Sequence, residues 1–103
     1  MKEFTSTHEW IEVEGVSATV GITDHAQKEL GEIVFVELPK IGQTVHKGEE
    51  VCVLESTKAA ADVYSPASGR VTAINDKVVQ DPSLINRAAE SAGWLYKLEI
   101  REN

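Results

Sequence analysis

The feature that most restricts this chain is its punctuation. β-prone runs of four to seven residues, several of them alternating polar and apolar side chains, are broken again and again by glycine or proline. Glu9-Trp10-Ile11-Glu12-Val13-Glu14 alternates and meets Gly15, and Val16-Ser17-Ala18-Thr19-Val20-Gly21-Ile22 alternates again, so the pair reads as a hairpin with its turn near Glu14-Gly15. Ile33-Val34-Phe35-Val36-Glu37-Leu38 is closed by Pro39; Val51-Cys52-Val53-Leu54-Glu55-Ser56, Ala61-Asp62-Val63-Tyr64 and Gly69-Arg70-Val71-Thr72-Ala73-Ile74 follow, and Trp94 to Ile100 closes the series. Short strands at such regular spacing predict a β-sandwich or barrel.

Two interruptions read as helices. Asp24 stands as an N-cap with Gln27 three residues on, His25 to Leu30 fill the turns, and Gly31 is a C′ stop. Asp81-Pro82 is an N-cap followed by proline at the first helical position, with Ser83 to Ala89 as the body. Gly42-x-x-Val45 and Gly48-x-x-Val51 before the central hairpin are echoed by Ser68-Gly69-x-Val71 after it, as in a quasi-twofold sandwich. The expected architecture is therefore mainly β, one domain over 1–103, with two short helices.

Composition then removes whole classes of function. At 103 residues the core is too small to wall off a deep pocket, and phosphate loops, nucleophile elbows and paired metal-ligand spacings are lacking. This points to a binding or carrier role, with no metal. Ten Lys+Arg against seventeen Asp+Glu give a net charge of −7, and the basic residues are scattered, so nucleic acid is not an expected partner. No apolar run approaches the ~20 residues of a membrane span, and Met1 to Thr5 resemble neither a signal nor a transit peptide. One cysteine fits a reducing compartment, so the cytoplasm is expected, or the mitochondrial matrix had a transit peptide been removed.

The stretch Val51 to Tyr64 carries the chemistry. Two β-prone segments flank Lys58, and Ala59-Ala60-Ala61 leave nothing bulky beside it. A lysine at a hairpin tip is an accessible amine on a rigid support, which is what covalent modification needs; an ordinary surface lysine is the plainer alternative. Cys52, mid-strand between Val51 and Val53, reads as a small buried hydrophobe, because a nucleophile would need a base, and His46 is not placed to be one. His8 is expected to pack beside Trp10, and Trp10 and Trp94 to pack in or at the edge of the core.

Taken in order, these pieces resemble the H-protein of the glycine cleavage system, a lipoyl carrier. The matching segments are Thr7-His8-Glu9-Trp10, Ala18 to Gln27, Leu30 to Pro39, Gly42, Val45, Gly48, Glu55-Ser56-Thr57-Lys58-Ala59, Asp62 to Pro66, Ser68-Gly69, Leu84-Ile85-Asn86 and Gly93-Trp94-Leu95. The resemblance implies a flattened β-barrel sandwich of the lipoyl-domain, barrel-sandwich hybrid type. It implies lipoate in amide linkage on Lys58, with Glu55, Ser56, Thr57 and Ala59 as the surroundings a lipoate-attaching enzyme reads. The lysine and lipoyl chain together would reach about 14 Å, from a zigzag of bonds of roughly 1.5 Å. It further implies that Glu9 and Asp62 line the cleft for the loaded arm, where carboxylates would hold an aminomethyl cation. The implied partners are glycine decarboxylase, aminomethyltransferase and dihydrolipoyl dehydrogenase, the chain being a monomeric carrier with no catalytic residue of its own.

Chains of that family run on past the closing strand, and a Ser-Pro-Tyr-Gly-like segment precedes their Gly-Trp where this sequence has Ala89-Glu90-Ser91-Ala92. The short ending reads as a natural variant or a truncation. Other readings are an H-like protein that relays or stores lipoyl groups for other lipoate-dependent enzymes, and an unmodified acidic interaction module. A biotinyl domain would have Met on both sides of the lysine, in place of Thr57 and Ala59; a 2-oxoacid dehydrogenase lipoyl domain would have Asp-Lys-Ala. A thiol hydrolase would use Cys52.

Overall fold

The computed structural model describes residues 1–101. Within them the chain forms two antiparallel sheets with short helices between strands. The larger sheet has six strands in the order β1 (Lys2–Phe4), β2 (Glu9–Glu14), β3 (Ser17–Ile22), β9 (Tyr96–Ile100), β8 (Gly69–Ile74) and β5 (Thr44–Val45). The smaller has three, in the order β4 (Ile33–Glu37), β6 (Glu50–Ser56) and β7 (Ala60–Tyr64). The sheets do not close on each other, as in the expected barrel-sandwich, and the fold class stands as read from the sequence.

Alternation sets which faces meet. Along β8, Gly69 and Val71 are buried while Arg70 and Thr72 are exposed; along β6, Cys52 and Leu54 are buried and Glu55 is not. Val20, Val45, Leu54, Val71, Leu95, Tyr96 and Leu98, all fully buried, belong to one continuous core shared by both sheets. At several kcal/mol per large core side chain, that cluster is what holds the layers together. Gly69 is dictated by proximity, since a Cβ there would lie 2.3 Å from the Glu99 carbonyl oxygen of β9.

The helices seal the edges of this core. α1 (Asp24–Leu30) starts one residue earlier than expected: the cap is Thr23, whose hydroxyl accepts from the Ala26 amide, while the Asp24 carboxylate accepts from Gln27 Nε2 and pairs with Lys28. α3 (Ser83–Ala88) follows Pro82, which stands at the N-cap position expected of Asp81; the Asp81 carboxylate accepts from Ser83 Oγ and pairs with Arg87. A further short helix, α2 (Asp76–Gln80), was not expected; Asn75 caps it at the Lys77 amide. Two more differences are local. The closing strand begins at Tyr96, leaving Trp94 half-buried in the short link between the preceding turn and the strand. The ring His8 meets is His25, not Trp10: the centroids are 4.6 Å apart and the planes tilted by 38°, with the His8 backbone at φ 67°.

Candidate functional site

The β6–β7 hairpin turns at Ser56-Thr57-Lys58-Ala59, its flanks paired in the register Glu55↔Ala60 and Leu54↔Ala61. A two-residue turn usually takes residues with positive φ, and neither Thr57 nor Lys58 has one. The Ser56 hydroxyl solves this: it accepts from the Lys58 amide at 3.1 Å and the Ala59 amide at 3.0 Å, while the Ser56 amide donates to the Ala59 carbonyl at 2.8 Å. The turn therefore satisfies its Ser56, Lys58 and Ala59 amides internally, and Thr57, Lys58, Ala59 and Ala60 are all exposed. Among the described residues no carboxylate lies within ion-pair distance of the Lys58 ammonium. Once deprotonated, that amine is an unobstructed nucleophile.

The stem of the lysine is less free than its head. Gly31, which ends α1 at φ 84° and ψ −157°, lies against it: a Cβ at position 31 would meet Lys58 Cε at 3.0 Å and Nζ at 3.6 Å. The Thr57 amide donates to the Glu32 carbonyl at 3.0 Å, so the hairpin tip rests on the α1–β4 elbow. Asn86 of α3 grips that elbow from the other side. Its Nδ2 donates to the Gly31 carbonyl (2.8 Å) and to Gln27 Oε1 (3.0 Å), and its Oδ1 accepts from the Ile33 amide (2.9 Å).

Two clefts flank the smaller sheet. One, about 300 Å³, lies between α1 and the inner face of the lysine hairpin, walled by Ile22, Ala26, Leu30, Leu54, Ala61 and Val63 with His8 and His25 at its rim. The other, about 490 Å³, is formed by the β1–β2 turn, Tyr64 to Pro66 and Lys47. Glu9 lines this second cleft and is 2% exposed. Its Oε1 accepts from the hydroxyls of Thr5 and Thr7, both at 2.5 Å, and its Oε2 from the Tyr64 amide at 3.3 Å. Thr7 lines both clefts. Asp62 is exposed, pairs with Val53, and alternates with Ala61 and Val63, so it stands on the outer face of β7 and lines neither cleft.

Gly31 was legible as a helix stop but not as the seat of a lysine, and Asn86 gave no chemical signal at all. Both contacts join residues far apart in sequence. The remaining candidates are placed plainly. Cys52 is 2% exposed on the inner face of β6, and burial pushes its thiol far above the ordinary range, so it is a packed hydrophobe. Burial likewise pushes up the Tyr96 phenol, which stands beside Ser65. Trp10 is buried and donates from Nε1 to the Ala89 carbonyl at 2.9 Å. Among the described residues no three His, Cys, Asp or Glu gather as metal ligands, and no helix is long and apolar enough to cross a membrane.

Comparison with known proteins places this geometry. The family model described as glycine cleavage H-protein matches residues 2–103. A glycine cleavage system H protein of Thermotoga maritima is 53% identical over 102 residues, covering 99% of this chain and 82% of that one. Its counterpart from Paramagnetospirillum magneticum is 57% identical over 99 residues, covering 96% and 79%. A crystal structure of a glycine cleavage system H protein from Mycobacterium marinum superposes with a TM-score of 0.90 at 39% identity, over 98% of this chain and 87% of that one. Agreement of this extent, in sequence and in fold, admits one conclusion: the chain belongs to the glycine cleavage H-protein family.

Proposed function

We propose that this protein is a lipoyl carrier of the glycine cleavage system, with lipoate joined in amide linkage to Lys58 Nζ. The observation that carries the reading is the lysine turn: a Ser56-bracketed tip that presents an exposed amine with, among the described residues, no carboxylate within ion-pair distance. The residues fit the group. Ala61 stands three positions on from Lys58, at most roughly 10 Å at ~3.3 Å per residue. An arm reaching about 14 Å can therefore enter the cleft of about 300 Å³, whose Ile22, Ala26, Leu30, Leu54 and Val63 suit its apolar chain.

When bound, the lipoyl group accepts the aminomethyl unit and cycles between disulfide and dithiol; the protein's own residues present, shelter and release it. Ser56 fixes the tip, and Ala59 and Ala60 leave an approaching enzyme room. Glu9 and Asp62 remain the carboxylates proposed to meet an aminomethyl cation. Glu9 is a fixed acceptor already holding two threonine hydroxyls, so it would act through Thr7 at the junction of the clefts. Asp62 would act from the outer face, on an arm that has left the cleft or on a docked partner. The partners proposed are a lipoate-attaching enzyme, glycine decarboxylase, aminomethyltransferase and dihydrolipoyl dehydrogenase.

Peptide mass spectrometry after incubation with lipoate, ATP and an attaching enzyme tests the proposal. One lipoyl mass on the Lys58 peptide is expected, together with loss of glycine cleavage in Lys58→Arg, which keeps the charge but not the acylatable amine. A fully active Lys58→Arg protein refutes it.

A further inference from the structure

Lys58 is served from a distance by a residue that never touches it. The β6–β7 tip is hydrogen-bonded through its own side chain, but its position relative to the body of the protein depends on the elbow beneath it. That elbow is unusual. Gly31 sits at φ 84° and ψ −157°, a region essentially closed to side chains, and the helix it ends is only seven residues long. A short helix followed by a glycine in that region has little intrinsic reason to hold its shape. What holds it is Asn86, whose amide group makes three hydrogen bonds of 2.8–3.0 Å: to the Gly31 carbonyl, to the Gln27 side chain and from the Ile33 amide. These clamp the residue on each side of Glu32, and the Glu32 carbonyl is the one that receives the Thr57 amide. The Lys58 stem in turn lies on Gly31, where even a methyl group would crowd Cε.

We infer that Asn86 is a positioning residue for the acceptor lysine. By locking Gly31-Glu32-Ile33 it fixes the seat on which the lysine stem rests, and so sets the direction in which Nζ and any group attached to it project. Gly31 adjoins Leu30, a wall of the smaller cleft, so the seat lies at the end of α1 that borders that cleft. The inference rests on Lys58 being the lipoyl acceptor. In the reaction it governs, the ammonium gives up two protons to solvent, and Nζ forms an amide bond to the acyl carbon of an adenylated lipoate. The acyl–phosphate bond breaks, and AMP leaves with the bonding pair. The orientation of Nζ at that attack is what the seat supplies.

Two variants strike the seat from opposite sides. Asn86→Ala removes the clamp. Gly31→Ala leaves Asn86 in place but puts a methyl group under the stem. Ser83→Ala is the control on the same helix: it removes hydrogen bonds to Asp81 and Arg87 without touching the elbow. Initial rates of lipoylation with lipoate, ATP and an attaching enzyme are expected to fall about ten-fold or more in kcat/KM for both seat variants, since misplacing a reacting group by ~1 Å costs on the order of 100-fold. Ser83→Ala is expected to keep the wild-type rate even where its urea midpoint drops. A nuclear Overhauser contact between the Gly31 α protons and the Lys58 ε protons reads the seat without any enzyme, and is expected in the wild type and lost in Asn86→Ala. Wild-type rates in both seat variants overturn the inference, as do rates that track stability equally in Asn86→Ala and Ser83→Ala. A wild-type chain that takes up no lipoate removes the carrier reading itself, a different and recognisable result.

Discussion

Gly21 and Trp10 face each other across the β2–β3 ladder, and their fit can be measured. A Cβ placed on Gly21 would stand 2.7, 2.8 and 2.9 Å from Nε1, Cε2 and Cζ2 of the indole, against 3.4 Å or more for an ordinary contact. The ring would have to give way by several tenths of an ångström, and it is not free to do so. It is buried, its Nε1 is tied to the Ala89 carbonyl at 2.9 Å, and Lys2 Nζ lies 4.5 Å from its centroid. Overpacking of this kind costs about 1–3 kcal/mol, and weakening the indole hydrogen bond adds about 0.5–1.5 kcal/mol. Replacing glycine restores about 0.5–1 kcal/mol of unfolded-state entropy. Gly21→Ala is therefore expected to destabilise by a net ~2 kcal/mol, within a span of about 0.5–4 kcal/mol, lowering Tm by roughly 10 °C.

A double-mutant cycle isolates the contact. Trp10→Phe alone loses packing and leaves the Ala89 carbonyl without its donor, costing ~2–3 kcal/mol. In Trp10→Phe/Gly21→Ala, however, the new methyl group occupies space the indole has left. Urea unfolding followed by far-UV circular dichroism is expected to show the double variant more stable than the sum of the singles by at least ~1.5 kcal/mol. Additivity within ~0.5 kcal/mol would mean that the strands absorb the methyl group elsewhere, and the steric argument would be wrong.

Three further outcomes are expected. Asn75→Ala strips donors from the Ala92 and Trp94 carbonyls and the cap from the Lys77 amide; a loss of ~2–4 kcal/mol in thermal unfolding is expected, and a change under ~1 kcal/mol would show that water replaces the side chain. Cys52, buried with its thiol pushed up, should react with iodoacetamide at pH 8 only on unfolding, and alkylation of the native protein at a free-thiol rate refutes that placement. Asp24 is held below its ordinary pKa of 3.8 by hydrogen bonds from Lys28 and then Gln27, and Asp81 by those from Arg87 and then Ser83. Depressed carboxylate pKa values give stability that is present above about pH 4 and lost as pH falls through the folded-state values. The urea midpoint should therefore drop less between pH 5 and pH 3 in Asp24→Asn/Asp81→Asn than in wild type, and an equal drop would show that these exposed pairs contribute nothing.

What could be read ahead of the structure divides along a physical line. The turn of the first hairpin, which falls at Gly15-Val16, one residue later than read, the strands with alternating patterns and the exposed lysine tip are local, and each is written in fewer than ten consecutive residues. β1 has only three residues and exists because β2 offers an edge; α2 is too short for any helical period. Asp24 with Gln27 mimicked a capping box closely enough to hide Thr23, whose extended backbone makes it the cap. Glu9 lay in an alternating strand where a carboxylate belongs in solvent; its burial depends on Thr5, Thr7 and Tyr64 closing over it. The seat beneath Lys58 joins Gly31 to Asn86 across 55 positions, and no local pattern reports such a pair.

The same division has a kinetic side. The β6–β7 hairpin closes over a turn of four residues, on the microsecond scale of isolated hairpins, whereas β3 must find β9 in a register that sets Ser17 opposite Glu99. Pairing so distant carries a high loop-closure cost and belongs with slow, topology-limited folding. During synthesis the lysine tip can therefore take shape early, as a marker fully written but not yet mounted. It acquires a fixed orientation only after α3 has emerged and Tyr96 to Leu98 have zipped β3 to β8.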